Sequence, residues 1–400
     1  MNLSGSYVAL ITPFHPDGSV NFEKLAELCE WHVQNGTDGI VALGTTGESS
    51  TMTHEEDDAV IRRVLDTVNG RIPVIAGTGS NCTETAIMKS KAARDMGADG
   101  ILVITPYYNK ANEKGMYRHF ADVADAVGLP TILYNVPGRT GCALSPACVE
   151  ALSHHPHIVA LKEASGNISY AAKVARYIRE DFQILSGNDD MIVPMMALGA
   201  SGVISVFANI CPGICRDMTH SFLDGNVARA RELQLKYLDL INALFIEVNP
   251  IPIKEAMNLL GMDVGGYRLP LCEMDEKNRA ALQSALAVLR GSAHAKNLDC
   301  RPRPHGRRGG GGNRRLRGSG AGRCLRIRAG GGFHRRGGRD HRFFPPQQHP
   351  RRMRARGARR YSAGAGHHRA GRRAPPVYCP GRAKSARRAF GEFLHGHCDF

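Results

Sequence analysis

The chain has 400 residues and a formal net charge of +15, a balance that, taken whole, points to a nucleic-acid or anionic-surface partner. From Gly291 onward, however, 26 Arg and 2 Lys face only Asp299, Asp340, Glu392 and Asp399, a net +24, which leaves 24 basic and 33 acidic side chains, a net −9, in the first 290 residues. The bulk of the chain is therefore not a basic binding surface, and its 11 scattered cysteines show no paired metal-ligand spacing. With no cationic, apolar leader at Met1-Asn2-Leu3-Ser4 and no apolar run long enough to span a bilayer, the reading is a cytoplasmic chain with reduced thiols. Cys211 and Cys215, four residues apart after a strand, read as helix-packing residues rather than ligands.

Short Val- and Ile-rich runs, each followed by a polar or glycine-containing loop and then by helical periodicity, predict alternating strands and helices. The first half runs strand Tyr7–Ile11, helix Phe22–Gln34, strand Gly39–Leu43, helix Glu55–Val68, strand Pro73–Ala76, helix Glu84–Met96, strand Ile101–Ile104 and helix Gly115–Val127. The second runs strand Thr131–Leu133, helix Pro146–Ser153, strand Ile158–Leu161, helix Ser169–Ile178, strand Phe182–Leu185, helix Met191–Leu198, strand Val203–Val206 and helix Gly213–Leu223. Such alternation requires parallel crossovers, and continuously apolar strands require a sheet covered on both faces. Eight units predict an α/β fold, a closed (β/α)8 TIM barrel over residues 1–224, with an open doubly wound sheet as the alternative.

After Leu223 the strand signal stops, and helical stretches at about Ala228–Phe245, Ile253–Leu260 and Glu276–Leu289 predict a C-terminal helical subdomain over residues 225–290. Residues 291–400 change character again, to an Arg/Gly/Pro-rich low-complexity tail whose few clustered apolar residues cannot offset chain entropy, so disorder is expected. A basic arm for nucleic acid is the functional alternative, although no aromatic platform accompanies the arginines. The abrupt shift in composition favours a third hypothesis, translation in an altered frame; coding DNA with one clean frame through this point would remove it.

In a barrel, chemistry stands at the carboxyl ends of the strands. There Lys162 ends the run Ile158-Val159-Ala160-Leu161 and presents a primary amine before a small-residue loop. An amine adds to a carbonyl only when deprotonated, and apolar walls disfavour the ammonium form, so Lys162 is a Schiff-base candidate; alone it would read as a solvated strand end. Gly44-Thr45-Thr46-Gly47-Glu48 offers successive backbone N–H groups and two hydroxyls, a cradle for a small carboxylate or else a capped turn. Tyr134 closes the preceding strand, about 4.8 Å away, close enough for its phenol to approach Lys162. Arg139, in a Pro-Gly-Arg turn, is an always-charged fork for a carboxylate, and Gly187 stands at the end of the seventh strand among the substrate-facing positions.

The stretches Gly44 to Glu48, Tyr134-Asn135-Val136-Pro137 with Gly138-Arg139-Thr140, and Ile158 to Ala164 resemble, in order and spacing, the dihydrodipicolinate synthase family, also called 4-hydroxy-tetrahydrodipicolinate synthase, within the pyruvate-dependent class I aldolases. The resemblance covers Met1 to about Arg290. It implies that Lys162 forms an imine with pyruvate and that the derived enamine attacks the aldehyde of L-aspartate 4-semialdehyde. The substrate's amino group then displaces Lys162 as the ring closes, releasing 4-hydroxy-tetrahydrodipicolinate, the one water having left when the imine formed. By the same resemblance Tyr134, Thr45 and Tyr108 form a proton relay, with Tyr108 reaching in from a neighbouring subunit of a homotetramer, a dimer of dimers. Thr46 and the backbone at Ile204 hold the pyruvate carboxylate, and Arg139 takes that of the semialdehyde. Imine chemistry supplies its own electron sink, so neither metal nor organic cofactor is expected.

Sister families such as N-acetylneuraminate lyase share the lysine, the tyrosine and the glycine-threonine loop. Arg139 discriminates, because an acidic semialdehyde needs a cation whereas a sugar aldehyde needs hydroxyl partners. Ser49, His54, Asn81 and Tyr107 match a lysine-binding allosteric site of some family members. Asp57 and Thr85 depart from it, where sensitive members often place a histidine and a glutamate, so weak or absent feedback inhibition is expected.

Overall fold

The structure, a computed structural model, describes Met1 and residues 3–289. Among these residues eight parallel strands close into a barrel in sequence order: β1 (Gly5–Ala9), β2 (Gly39–Ala42), β3 (Val74–Gly77), β4 (Gly100–Ile104), β5 (Thr131–Asn135), β6 (Ile158–Glu163), β7 (Gln183–Ser186) and β8 (Gly202–Ser205). The ring closes where Tyr7 of β1 pairs with Gly39 on one side and Ile204 on the other. Around it lie α1 (Phe22–Gln34), α2 (His54–Val68), α3 (Thr83–Met96), α4 (Glu113–Val127), α5 (Pro137–Thr140), α6 (Pro146–Ser153), α7 (Ile168–Ala175), α8 (Ile192–Ala197) and α9 (Pro212–Leu223). The helices α10 (Val227–Lys236), α11 (Leu238–Ala243), α12 (Ile251–Leu259) and α13 (Glu276–Ala285) follow. The expectations for the tail, 291–400, as a disordered segment, a nucleic-acid arm or an altered frame, lie outside the described residues.

The strands are apolar throughout because both their faces are buried. Tyr7, Val41, Ile75, Leu102, Ile132, Tyr134, Ala160, Leu185 and Ile204 fill the lumen, while their alternating neighbours, Val8, Ile40, Ile101, Leu133, Leu161, Ile184 and Val203, meet the helix layer. Local signals fix the helix ends. Thr53 and Glu56 form a reciprocal capping box at the start of α2, whose first turn carries Glu55, Glu56 and Asp57, and left-handed Gly97 stops α3. Cys211 and Cys215 are buried against α9's inner face, with Cys215 Sγ 3.3 Å from Ser205 Oγ, which is the packing role expected of them. Among the described residues no helix is long and apolar enough to cross a membrane.

The structure moves several boundaries. β1 sits two residues earlier than its apolar run predicts, because Ile11 N–H leaves the ladder to donate to Asn209 Oδ1. β5 and β6 run on through Asn135 and Glu163, so Tyr134 and Lys162 stand within strands rather than just beyond them. The helix expected over 228–245 breaks at Tyr237, whose buried ring packs 5.9 Å from that of Phe207 and which caps both α10 and α11. The four-residue α5, which carries Arg139, has too little length to leave a periodic signal.

Candidate active site

Tyr134 and Lys162 are direct partners across the β5–β6 ladder, and both point into the lumen with only 6 % of their surface exposed. Lys162 Nζ lies 4.3 Å from the centroid of the Tyr134 ring. Just past the end of the next strand, β7, Gly187 leaves room for the amine's stem: a Cβ there would come within 3.1 Å of Lys162 Cε and 2.6 Å of Ala164 Cβ. The structure thus places Lys162, Tyr134 and Gly187 side by side.

The floor beside them is fixed by two buried carboxyls. Asp189, just past β7, accepts from the backbone N–H groups of Val206 and Phe207 through Oδ2, 3.0 Å each, and so holds the chain immediately after Ile204. Burial raises its pKa, against the hydrogen bonds it accepts and the nearby Lys162 charge. Glu163 points away from the lumen, where it accepts from Asn135 Nδ2 and Ser165 N at 2.7 Å each and ties together the loops that follow β5 and β6. Burial raises this carboxyl as well, against the same two donors.

Thr45 to Gly47 form a tight 3-10 turn. Thr46 is buried, and its hydroxyl oxygen accepts from Asn249 Nδ2 at 2.9 Å, while Thr12 Oγ1 donates to Gly47 O at 2.7 Å. Arg139 is exposed on α5, where Nη2 donates to the Asn249 carbonyl at 3.1 Å. One residue of the C-terminal segment therefore touches both proposed carboxylate partners. A cavity of about 440 Å³ opens at the barrel mouth, lined there by Gly44, Thr45, Gly77, Gly79, Ile104, Tyr134, Arg139 and Thr140. Lys162, Thr46 and Ile204 are buried, and Tyr134 on the wall joins the amine to this space.

Tyr108 behaves differently. It is 91 % exposed with a left-handed φ of 69°, so a single chain leaves its ring to solvent rather than beside Thr45 and Tyr134. The same cavity continues past Ser49, His54 and Tyr107 of the expected lysine site, whereas Asn81 contributes its carbonyl to Asn109 Nδ2 at 2.9 Å. At its far end Lys89 Nζ sits 2.8 Å from Asp57 Oδ2 and 3.0 Å from Ser49 Oγ. Asp57 is buried, which raises its carboxyl despite the Lys89 charge and the hydrogen bonds from Lys89 and Ser49.

Sequence reasoning missed Asn249, Asp189, Lys89 and the pair Glu48–Lys254, whose carboxylate and ammonium lie 2.8 Å apart with neither side chain exposed. Lys254 did leave a signal: it lies three residues from Ile251 and from Met257, on the apolar stripe of α12. Among the described residues no group of three His, Cys, Asp or Glu is placed to hold a metal ion.

A sequence model of the dihydrodipicolinate synthetase family matches residues 2–289. The 4-hydroxy-tetrahydrodipicolinate synthase of Clostridium novyi is 54 % identical over 282 residues, 70 % of this chain and 95 % of that protein. Among solved structures, dihydrodipicolinate synthase from Aquifex aeolicus is 45 % identical with a TM-score of 0.70, covering 72 % of this chain and 98 % of that one. The chloride-inhibited enzyme of Acinetobacter baumannii, complexed with pyruvate, is 43 % identical at the same TM-score and the same coverage.

Proposed function

The chain belongs to the dihydrodipicolinate synthetase family, and from that membership we propose how its residues divide the work. The reaction is the condensation of pyruvate with L-aspartate 4-semialdehyde to 4-hydroxy-tetrahydrodipicolinate, in the diaminopimelate route to lysine. Lys162 Nζ adds to the keto carbon of pyruvate, and loss of water from the carbinolamine gives an imine. Removal of a methyl proton leaves an enamine, whose carbon attacks the aldehyde carbon of the second substrate. The amino group of that substrate then attacks the imine carbon and expels Lys162, closing the ring and regenerating the amine.

The observation that carries this reading is the register pair Tyr134–Lys162, an amine set against a phenol, both buried in the lumen. Tyr134 and Thr45 relay the protons of carbinolamine formation and dehydration, and Tyr108, exposed in one chain, completes the relay from a neighbouring subunit of a cytoplasmic homotetramer. Thr46 and the backbone at Ile204, held in place through Asp189, receive the pyruvate carboxylate. Gly187 keeps the space beside the amine, and Arg139 takes the carboxylate of the semialdehyde. At the cavity's far end the Lys89 ammonium already occupies Asp57 and Ser49, so a free lysine finds no unpaired carboxylate there and inhibits weakly or not at all.

Mass spectrometry after incubation with pyruvate and borohydride tests the centre of this reading. The reduced adduct is expected on Lys162 and absent from Lys162→Ala; an adduct on another lysine, or none on the parent chain, overturns it.

A further inference from the structure

Glu48 follows the Thr45–Gly47 turn with a left-handed φ of 59°, a conformation disfavoured for any residue with a Cβ. Its carboxylate accepts a hydrogen bond from Lys254 Nζ at 2.8 Å, in a pair shielded completely from solvent. Lys254 arrives on α12, and its ammonium lies 4.2 Å from the Phe14 ring centroid and 5.5 Å from that of Tyr267. Burial lowers the pKa of this amine, while the Glu48 charge and hydrogen bond oppose the shift.

Taking two charges out of water is costly, and apolar residues of the same size would often pack there with equal stability. Position is what an ion pair supplies and a methyl group cannot. The charge-assisted bond fixes the residue that ends the turn, and the turn is pinned by further bonds from Thr12 Oγ1 to Gly47 O, Thr51 Oγ1 to Glu48 O and Asn249 Nδ2 to Thr46 Oγ1. Asn249 and Lys254 flank the start of α12, so one segment grips the turn at two points.

We propose that Lys254, through its buried ion pair with Glu48, is a positioning residue that presets the Thr45–Thr46 turn for the carboxylate of the keto acid, so that the C-terminal helical segment sets pyruvate affinity. This rests on the reading of Thr46 as a carboxylate partner. Lys254 touches no reacting atom and acts only through Glu48.

The test titrates pyruvate against the full-length protein, with borohydride trapping on Lys162 read by mass at each concentration and a thermal melt alongside. The double variant Glu48→Gln/Lys254→Met leaves no unpaired charge, and Glu48→Gln alone preserves shape and one hydrogen bond. Half-saturating pyruvate is expected to rise about tenfold in the double variant and about threefold in the single one, with the trapping plateau kept within about twofold. A pair that serves stability alone would lower the melting temperature and leave half-saturating pyruvate unmoved, which overturns the proposal. A lost plateau at unchanged half-saturation overturns it too, because the pair would then serve the amine. If the double variant does not fold, the single variant decides by the same criterion. Absence of trapping in the parent chain would instead remove the Lys162 reading itself, and this proposal with it.

Discussion

Replacing Gly187 by alanine probes the space beside the Lys162 amine, the proposed nucleophile. The added Cβ would lie 2.6 Å from Ala164 Cβ and 3.1 Å from both Glu163 O and Lys162 Cε. Contacting carbons rest at about 3.5–4.0 Å, so relief requires roughly 1 Å of movement at Ala164 and about 0.5 Å at Lys162. The backbone has little freedom to retreat: Gly187 N donates to Glu163 O at 2.7 Å, and Ala164 N to Asn135 O at 2.9 Å. The lysine stem is the part that can yield, and it carries the amine with it. Overpacking of this kind costs about 1–3 kcal/mol of stability. Misplacing a reacting group by about 1 Å costs up to about a hundredfold in rate, so kcat/KM is expected to fall by roughly ten- to a hundredfold, or about 1.4–2.7 kcal/mol of transition-state stabilisation. Steady-state kinetics, the rate of borohydride-trapped adduct formation and a melting curve together separate the two effects. Gly266→Ala is the control, because a Cβ there meets nothing within 4 Å and should change neither. A Gly187→Ala protein that melts lower yet traps pyruvate at the parental rate would refute the spatial argument.

Arg139→Ala should leave pyruvate trapping intact and raise the KM for the semialdehyde by about tenfold or more, the worth of a lost charged hydrogen bond; a defect confined to pyruvate would show that the fork serves the wrong carboxylate. Millimolar lysine should leave the parent enzyme's rate nearly unchanged, whereas Lys89→Met, by freeing Asp57, should confer measurable inhibition; strong inhibition of the parent chain refutes this. Burial pushes His32 down to about 3 and, against the pull of Asp122, His119 down to about 4, so both stay neutral in the fold while the unfolded chain protonates them from 6.5 downward. Unfolding then takes up protons, and the stability these residues confer is complete above pH 6.5 and lost as pH falls toward about 4 for His119 and about 3 for His32. His119→Gln should flatten the decline in Tm across that window, and an unaltered slope would show that the ring's burial is not felt.

Much of the barrel was legible because each strand is a run of apolar residues with nowhere to go but between two buried faces. The meeting of Tyr134 and Lys162 was legible for the same reason, since consecutive strands of a barrel are neighbours in space. Strand ends were harder: Asn135 and Glu163 are polar, yet they continue the ladder because their side chains bond to one another outside the lumen. Contacts that span the chain left almost no trace. Asn249 reaches Thr46 across 203 positions, and nothing in its own surroundings names that partner. Lys89 reads as an ordinary polar residue of α3 until Asp57 of α2 is placed beside it.

The segment from Asn249 to Arg268 sets the geometry that the strand ends then use. Beyond the two grips on the Thr45–Gly47 turn, Val264 O accepts from Phe14 N at 3.1 Å, and Arg268 Nε donates to Gly18 O at 2.7 Å, fixing the loop after β1. Arg268 also donates bidentately to Glu56, at 2.7 and 2.8 Å, the same carboxylate that closes the capping box of α2. Bidentate pairing of this kind holds direction as well as distance. On the proposed reading the chemistry is divided: the Lys162 amine and the Tyr134 phenol sit on adjacent strands whose register is set by the barrel, whereas the turn proposed as the anion cradle is held by a chain segment about two hundred residues away. Substitutions in that segment should therefore alter substrate affinity before they alter the reactivity of Lys162, and substitutions in β5 and β6 the reverse.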